Sequence, residues 1–184
     1  AAGLVPVPTA EGLTEPELDR LTPLVAPAAI LAGPGVSLPG APPCPVLTDL
    51  AALMAHAPGG YAMGDPDRLA YVVFTSGSSG TPKPVAHAHR ALRARRMMWE
   101  GWYGLTPSDR VLHAGAFNWT FTLGTGLLDP WSIGATALIP APGTLPETLP
   151  LLLKRHDATI FAAVPGIFRK LLASDAPLSL PKLR

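Results

Sequence analysis

Short apolar runs alternate with segments of helical period almost from end to end of this 184-residue chain, and few architectures accept that order. Residues 3–8, 28–33, 69–75, 84–89, 109–115, 135–141 and 158–165 read as strands, the run at 28–33 as a buried one. They are short, rich in β-branched or small apolar residues, and closed by Gly or Pro. Residues 14–25, 47–57, 90–105, 122–134, 145–157 and 166–174 read as helices. Thr14 is placed to cap the first of these, Pro16 and Glu17 suit its first turn, and Leu18, Leu21 and Val25 recur at helical spacing. Asp49 stands at the start of the second. The expected fold class is α/β, a mainly parallel sheet with flanking helices. In such sheets ligands bind beyond the carboxyl ends of the strands.

Composition narrows the function classes. The chain is 48% hydrophobic and 15% charged, against about 25% charged in an ordinary soluble domain. Disorder is excluded by that balance. Its dryness points to a segment whose surface is normally covered by more of the same protein. A net charge of +1 gives no general attraction to nucleic acid or anionic membrane. Cys44 has no second cysteine to pair with, which agrees with a reducing, cytoplasmic setting. No apolar run reaches the roughly 20 residues of a membrane span, and the first residues lack a basic stretch before an apolar core, so they do not read as a signal peptide. The 23 prolines and 18 glycines are scattered between periodic segments, as turn punctuation.

The segment 71–89, YVVFTSGSSGTPKPVAHAH, joins two of the strands through a loop with unusual chemistry. Gly77 and Gly80 allow positive φ and a close approach of backbone to ligand. Thr75, Ser76, Ser78 and Ser79 supply hydroxyls, and successive backbone N–H groups form an anion-binding concavity. Lys83 adds a mobile point charge suited to phosphate oxygens. It is not a Walker A loop, because Gly80 is followed by Thr-Pro-Lys-Pro and a strand, not by Lys-Ser/Thr and a helix. By composition alone it is equally a serine–glycine hairpin loop with a surface lysine.

The order of residues goes further than the composition. FTSGSSGTPKPVAHAH closely resembles the phosphate-binding signature of the adenylate-forming (AMP-binding) superfamily of acyl-CoA synthetases, luciferases and adenylation domains, with Pro84 where that family usually has glycine. The stretch at 1–32 is similar to the family's A-G-x-x-x-V-P segment with the helix and strand after it. Residues 109–139 resemble the region that lines the acid pocket, and 158–172 the V-P element beyond it. The resemblance implies a partial large N-terminal AMP-binding domain over residues 1–184, without the family's C-terminal lysine-bearing domain. The adenine, ribose and late-lysine segments of the family do not occur before Arg184, so the chain by itself is expected to be inactive.

The activity implied is that of an acid–thiol ligase using ATP, Mg2+ and coenzyme A. A carboxylate attacks the ATP α-phosphate to give acyl-AMP and pyrophosphate, and a thiol then takes the acyl group. The loop role, holding the β- and γ-phosphates, carries over to Thr75, Ser76, Gly77, Ser78, Ser79, Gly80 and Lys83. Phe117, Asn118 and Trp119 fall where the family places its acid-pocket wall, with Trp119 foremost, and their aromatic character leans toward aryl or medium-chain acids. A catalytically inactive nucleotide- or phosphate-binding remnant is the rival reading, favoured by Pro84.

Other polar residues read as structural. His87, His89 and His113 lack a third ligand at metal-binding spacing and are expected to pack and hydrogen-bond near strand ends. In the basic helix 90–105, Leu92 and Trp99 are expected to face the core while Arg96 pairs with Glu100 at i+4. Asp129 and Asp157 read as isolated acids, with no pair of carboxylates for acid–base work and no G-x-S-x-G elbow in the chain.

Overall fold

The computed structural model describes residues 3–75, 82–173 and 179–184. They form two compact units, Ala1–Ala88 and His89–Arg184.

In the first unit, α1 (Glu15–Val25) begins where the sequence places it: Thr14 N–H and its hydroxyl both donate to Glu17 Oε2, at 2.8 and 2.7 Å. That satisfies one donor of the helix start. Strands β1 (Ile30–Leu31) and β2 (Val46–Leu47) pair in parallel. The run at 28–33 is therefore strand only in part and is not buried throughout, since Leu31 is 63% exposed. Helix α2 (Leu50–Met54) is capped by Asp49, whose Oδ1 accepts from Ala52 N at 2.9 Å. Strands β3 (Leu69–Thr75) and β4 (Lys83–Ala88) form an antiparallel pair, the exception to the otherwise parallel pairing. The expected strand at 3–8 does not form. Prolines 6 and 8 carry no N–H, and among the described residues the segment's ladder-like bond is Val72 N to Pro6 O at 3.1 Å.

The second unit is built on a parallel sheet in the order β6 (Thr136–Leu138), β5 (Arg110–Ala114), β7 (Ile160–Ala163). The remaining helices are α3 (His89–Ala94), α4 (Arg96–Gly101), α5 (Thr120–Leu123), α6 (Asp129–Ile133), α7 (Leu149–Arg155) and α8 (Pro165–Leu172). A π-helical turn, Gly124–Leu128, joins α5 to α6. β5 is covered on both faces: Val111, Leu112 and His113 are 0%, 2% and 1% exposed. Side chains alternate along a strand. Val111 packs with Trp99 of α4, Leu105, Ala135 and Ile160, while Leu112 packs with Leu149 and Leu153 of α7 and Leu171 of α8. The helix expected over 90–105 is interrupted at Arg95 and ends at Gly101, and Trp99 does face the core.

Asp109, just before β5, ties the strand ends together. It is nearly buried and accepts from Thr106 N at 2.7 Å, Thr106 Oγ1 at 2.8 Å, Thr159 Oγ1 at 2.6 Å and Arg184 Nη2 at 2.6 Å. Burial would raise its carboxyl pKa, but the hydrogen bonds from Arg184, Thr159 and Thr106 outweigh that and hold it well below the usual carboxylate range.

Two stability predictions follow from these groups. Asp109→Asn sets an amide against several donors and is expected to cost about 2–3 kcal/mol. Arg184 is half exposed, so Arg184→Ala should cost under about 1 kcal/mol. Urea melts of both variants check the order, and the reverse order would refute it. His113 lies in the core with neither ring nitrogen hydrogen-bonded among the described residues, so it packs without the bonding expected of it. Burial lowers its pKa from 6.5 to about 4. Below about pH 6.5 the unfolded chain binds a proton the folded state refuses, so stability falls as pH drops toward 4, by about 2 kcal/mol at pH 5 from this group alone. His113→Leu should flatten that loss in melts at about pH 7.5 and 5; an unchanged pH dependence would count against it.

Candidate functional site

The hairpin places two of the expected phosphate ligands together. Thr75 is the last residue of β3, Lys83 the first of β4, and they are directly paired across the ladder. Both are exposed at the loop end of the hairpin. A hydroxyl and an ammonium thus stand side by side where the loop leaves and rejoins the sheet. Ser76, Gly77, Ser78, Ser79 and Gly80 lie outside the described residues. Pro84 pairs with Phe74, and β4 continues through it to Ala88. A proline costs little at such a place, because a strand paired on one side has donors to spare. Behind it, His87 stacks on its cross-strand partner Tyr71, ring centroids 4.5 Å apart and planes 10° from parallel. That stacking gives His87 a packing role. Among the described residues no three His, Cys, Asp or Glu side chains gather as a metal site.

The expected acid-pocket residues sit in the second unit, beyond the carboxyl end of β5. Phe117, Asn118 and Trp119 occupy the turn between β5 and α5, closed by Trp119 N donating to Ala116 O at 3.2 Å. Trp119 is in extended conformation as the residue capping α5, and its carbonyl accepts from Leu123 N at 2.9 Å. Its indole is 62% exposed, Phe117 is half-buried, and the buried Asn118 Oδ1 has no hydrogen-bond partner among the described residues. The turn's approach to the sheet is tight. A Cβ on Gly115 would collide with Thr122 Oγ1 and stand 3.2 Å from the His113 ring. His113 meets Phe121 edge to face at 4.6 Å, and a Cβ on Gly126 would stand 2.6 Å from His113 Cβ.

Beside this turn is a cluster that the sequence reading did not find. Asp129 is not an isolated acid. It is buried, and the Arg95 guanidinium grips it with two bonds, Nε to Oδ1 at 2.7 Å and Nη2 to Oδ2 at 2.6 Å. The Tyr103 hydroxyl donates to Oδ2 at 2.9 Å. Burial first, and then the bond to Asp129, push the Tyr103 phenol well above its ordinary pKa, so it stays a donor. The available signal was the acid itself: an aspartate inside the apolar run LLDPW has to find a cation. Arg96 likewise departs from expectation. Its guanidinium lies 5.4 Å over the Trp99 ring, an attraction of cation to π-face in place of the anticipated tie to Glu100. Asp157, two residues beyond α7, is in left-handed conformation at φ 49°, a position aspartate tolerates.

Among the described residues no helix is long and apolar enough to cross a membrane.

Several known proteins are similar to this chain. A 3-hydroxybenzoate–CoA/4-hydroxybenzoate–CoA ligase of Thauera aromatica is 34% identical over 112 residues, covering 60% of this chain and 21% of the relative. The p-hydroxybenzoic acid–AMP ligase FadD22 of Mycobacterium tuberculosis is 33% identical over 129 residues, covering 70% of this chain and 18% of the relative. The matched part is thus about a fifth of these relatives' length. Among solved structures, a benzoate CoA ligase from Burkholderia xenovorans superposes with TM-score 0.82 at 24% identity, over 100% of this chain and 40% of that one. The N-terminal domain of FACL13 from M. tuberculosis gives TM-score 0.84 at 22% identity, over 98% of this chain and 49% of that one. These superpositions establish the fold. The family model for AMP-binding enzymes matches residues 1–184, and the chain belongs to that family.

Proposed function

We propose that this chain is part of the large N-terminal domain of an AMP-forming ligase, in which a separate lysine-bearing C-terminal domain completes the chemistry. The ligase activates an aromatic carboxylic acid with ATP to an acyl-adenylate and pyrophosphate, and then transfers the acyl group to coenzyme A. The observation that carries this reading is the hairpin end where Thr75 and Lys83 pair across the ladder, in a chain whose whole length matches the AMP-binding family model.

A carboxylate is a poor acyl donor until its oxygen is esterified to a good leaving group. Adenylation provides one, at the cost of expelling pyrophosphate, and the charge that develops on the departing oxygens must be met by donors already in place. Lys83 and the hydroxyls of Thr75, Ser76, Ser78 and Ser79, with the close backbone approach at Gly77 and Gly80, are of the right chemistry to hold the β- and γ-phosphates. Mg2+ carried in with the triphosphate would offset the remaining charge. Phe117, Asn118 and Trp119 form the acid-side wall. A flat, exposed indole at the end of β5 suits an aryl ring, which gains from offset or edge-on contact. The benzoate and hydroxybenzoate names of the relatives support the same substrate class. The near-neutral charge agrees with an enzyme that has no nucleic-acid partner, and the same reading places it in the cytoplasm.

A non-catalytic nucleotide-binding module is the second reading, resting on Pro84 in place of the family's glycine. The pairing of Pro84 with Phe74 favours catalysis, because the proline is absorbed by the strand and leaves Lys83 at the loop's exit.

Expressed from its complete reading frame, the protein is expected to catalyse ATP–pyrophosphate exchange dependent on benzoate or a hydroxybenzoate, with weaker exchange for hexanoate. The 184-residue chain alone should show none. Lys83→Ala should lower exchange by about 100-fold while leaving the acid KM nearly unchanged. Nucleotide binding without exchange for any acid would replace this reading by the module.

A further inference from the structure

We infer that Arg95 is a positioning residue for the acid-pocket wall: its guanidinium staples the π turn Gly124–Leu128 and so fixes where Trp119 stands. The inference rests on the acid-pocket role proposed above for residues 117–119.

The helix that follows Trp119 is not uniform. It runs as α5, passes through the π turn and resumes as α6, ending at Gly134 in left-handed conformation at φ 84°. The π turn is closed by Asp129 N–H donating to Gly124 O. Arg95 touches both ends of that closure. At the far end its fork takes both carboxylate oxygens of Asp129. At the near end it lies flat against the α-carbon of Gly124, where a Cβ would overlap the guanidinium. Thr125, between them, has its hydroxyl 3.4 Å from Nη2. Tyr103 donates to the same carboxylate from the other side. The residue at the interruption between α3 and α4 therefore grips the one irregular turn of the helix that carries the pocket wall.

A π turn holds one residue more than the α-turn it replaces. If it relaxed to α geometry, everything on its N-terminal side would shift register by one residue, a rotation of about 100° and a translation of about 1.5 Å. Trp119 lies on that side, and its carbonyl is bonded to Leu123 N just ahead of the turn. Both sides are packed, α6 through Ile133 on the core around Val111 and α5 through Phe121 on His113. A change in the turn is therefore taken up where packing is least, and Trp119, ahead of α5, is 62% exposed. A displacement of about 1 Å in a positioned group can cost orders of magnitude in rate.

The test uses the protein expressed from its complete reading frame. Arg95→Lys keeps the charge and loses the fork. A double variant, Arg95→Met with Asp129→Leu, removes both partners without leaving a buried charge and guards against simple unfolding. Both are expected to keep the ATP KM, raise the benzoate KM about tenfold and blunt the preference for benzoate over hexanoate. The 19F resonance of 5-fluorotryptophan at Trp119, assigned with Trp119→Phe, should move in both variants whether or not the protein shows exchange. A folded double variant with an unmoved Trp119 resonance overturns the inference, as does unchanged benzoate KM and acid preference in an active one. Absence of exchange in the wild-type protein would instead count against the ligase reading and leave the resonance to decide the role of Arg95.

Discussion

Strand β5 has no free face, and the second unit is organised around that fact. Val111 and Leu112 point to opposite sides and are both buried, so the chain must supply apolar cover twice. Helix α4 covers one side, where Ala135 and Ile160 flank Val111, and α7 with α8 the other. Parallel pairing on both edges makes such cover obligatory, since crossover segments run over the faces of the sheet. The same burial decides the polar groups at the strand's ends. Asp109 at one end is wrapped by donors from three segments. His113 near the other is given none among the described residues and is held neutral. The chain then leaves the sheet at Gly115, where there is room for no side chain, and turns at once into the residues read as the pocket wall.

Periodicity recovers the elements well where one physical signal dominates. The strand expected over 69–75 is Leu69–Thr75, because a β-branched apolar run bounded by glycine has no helical alternative. The α1 start follows from Thr14 and Glu17, whose capping is local in sequence and hence readable. The failures are equally physical. At 3–8 the apolar pattern is right, but Pro6 and Pro8 remove the donors a ladder needs. At 90–105 nothing local announces the interruption at Arg95, whose side chain is bound to Asp129, distant in sequence. The residues proposed for the pocket and the loop are read from motif order, not from periodicity, and the pairing of Thr75 with Lys83 follows from the hairpin register once the two strands are assigned.

The two buried aspartates differ in how far along the chain their partners lie. Asp109 stands at the end of a turn, and its nearest donors, Thr106 N and Oγ1, are three residues away. A carboxylate that reaches back three residues to a backbone N–H makes a local contact of a common kind. Asp129 has no local donors of that sort. It sits where an apolar side chain would extend the surrounding LL and PW residues, and its partners Arg95 and Tyr103 are 34 and 26 positions away. Long-range polar pairs leave almost no trace in a single sequence beyond the incongruity of the acid itself.

That incongruity also bears on why the pair is there. A buried ion pair is a poor source of stability, because desolvating both ions consumes most of what their attraction returns, and apolar residues of like volume do as well or better. What apolar packing does not supply is direction. A guanidinium bound at two oxygens has one orientation in its plane, and here that plane lies against Gly124 while its edge meets Asp129. Leucine and methionine in the same space would fill it from many angles and leave the turn free to choose its register. The glycine at 124 belongs to the same arrangement, since only a residue without Cβ lets the guanidinium come that close. Arginine, glycine and aspartate thus act as one device. It sets the register of the helix that presents Trp119, a service that stability alone would not require.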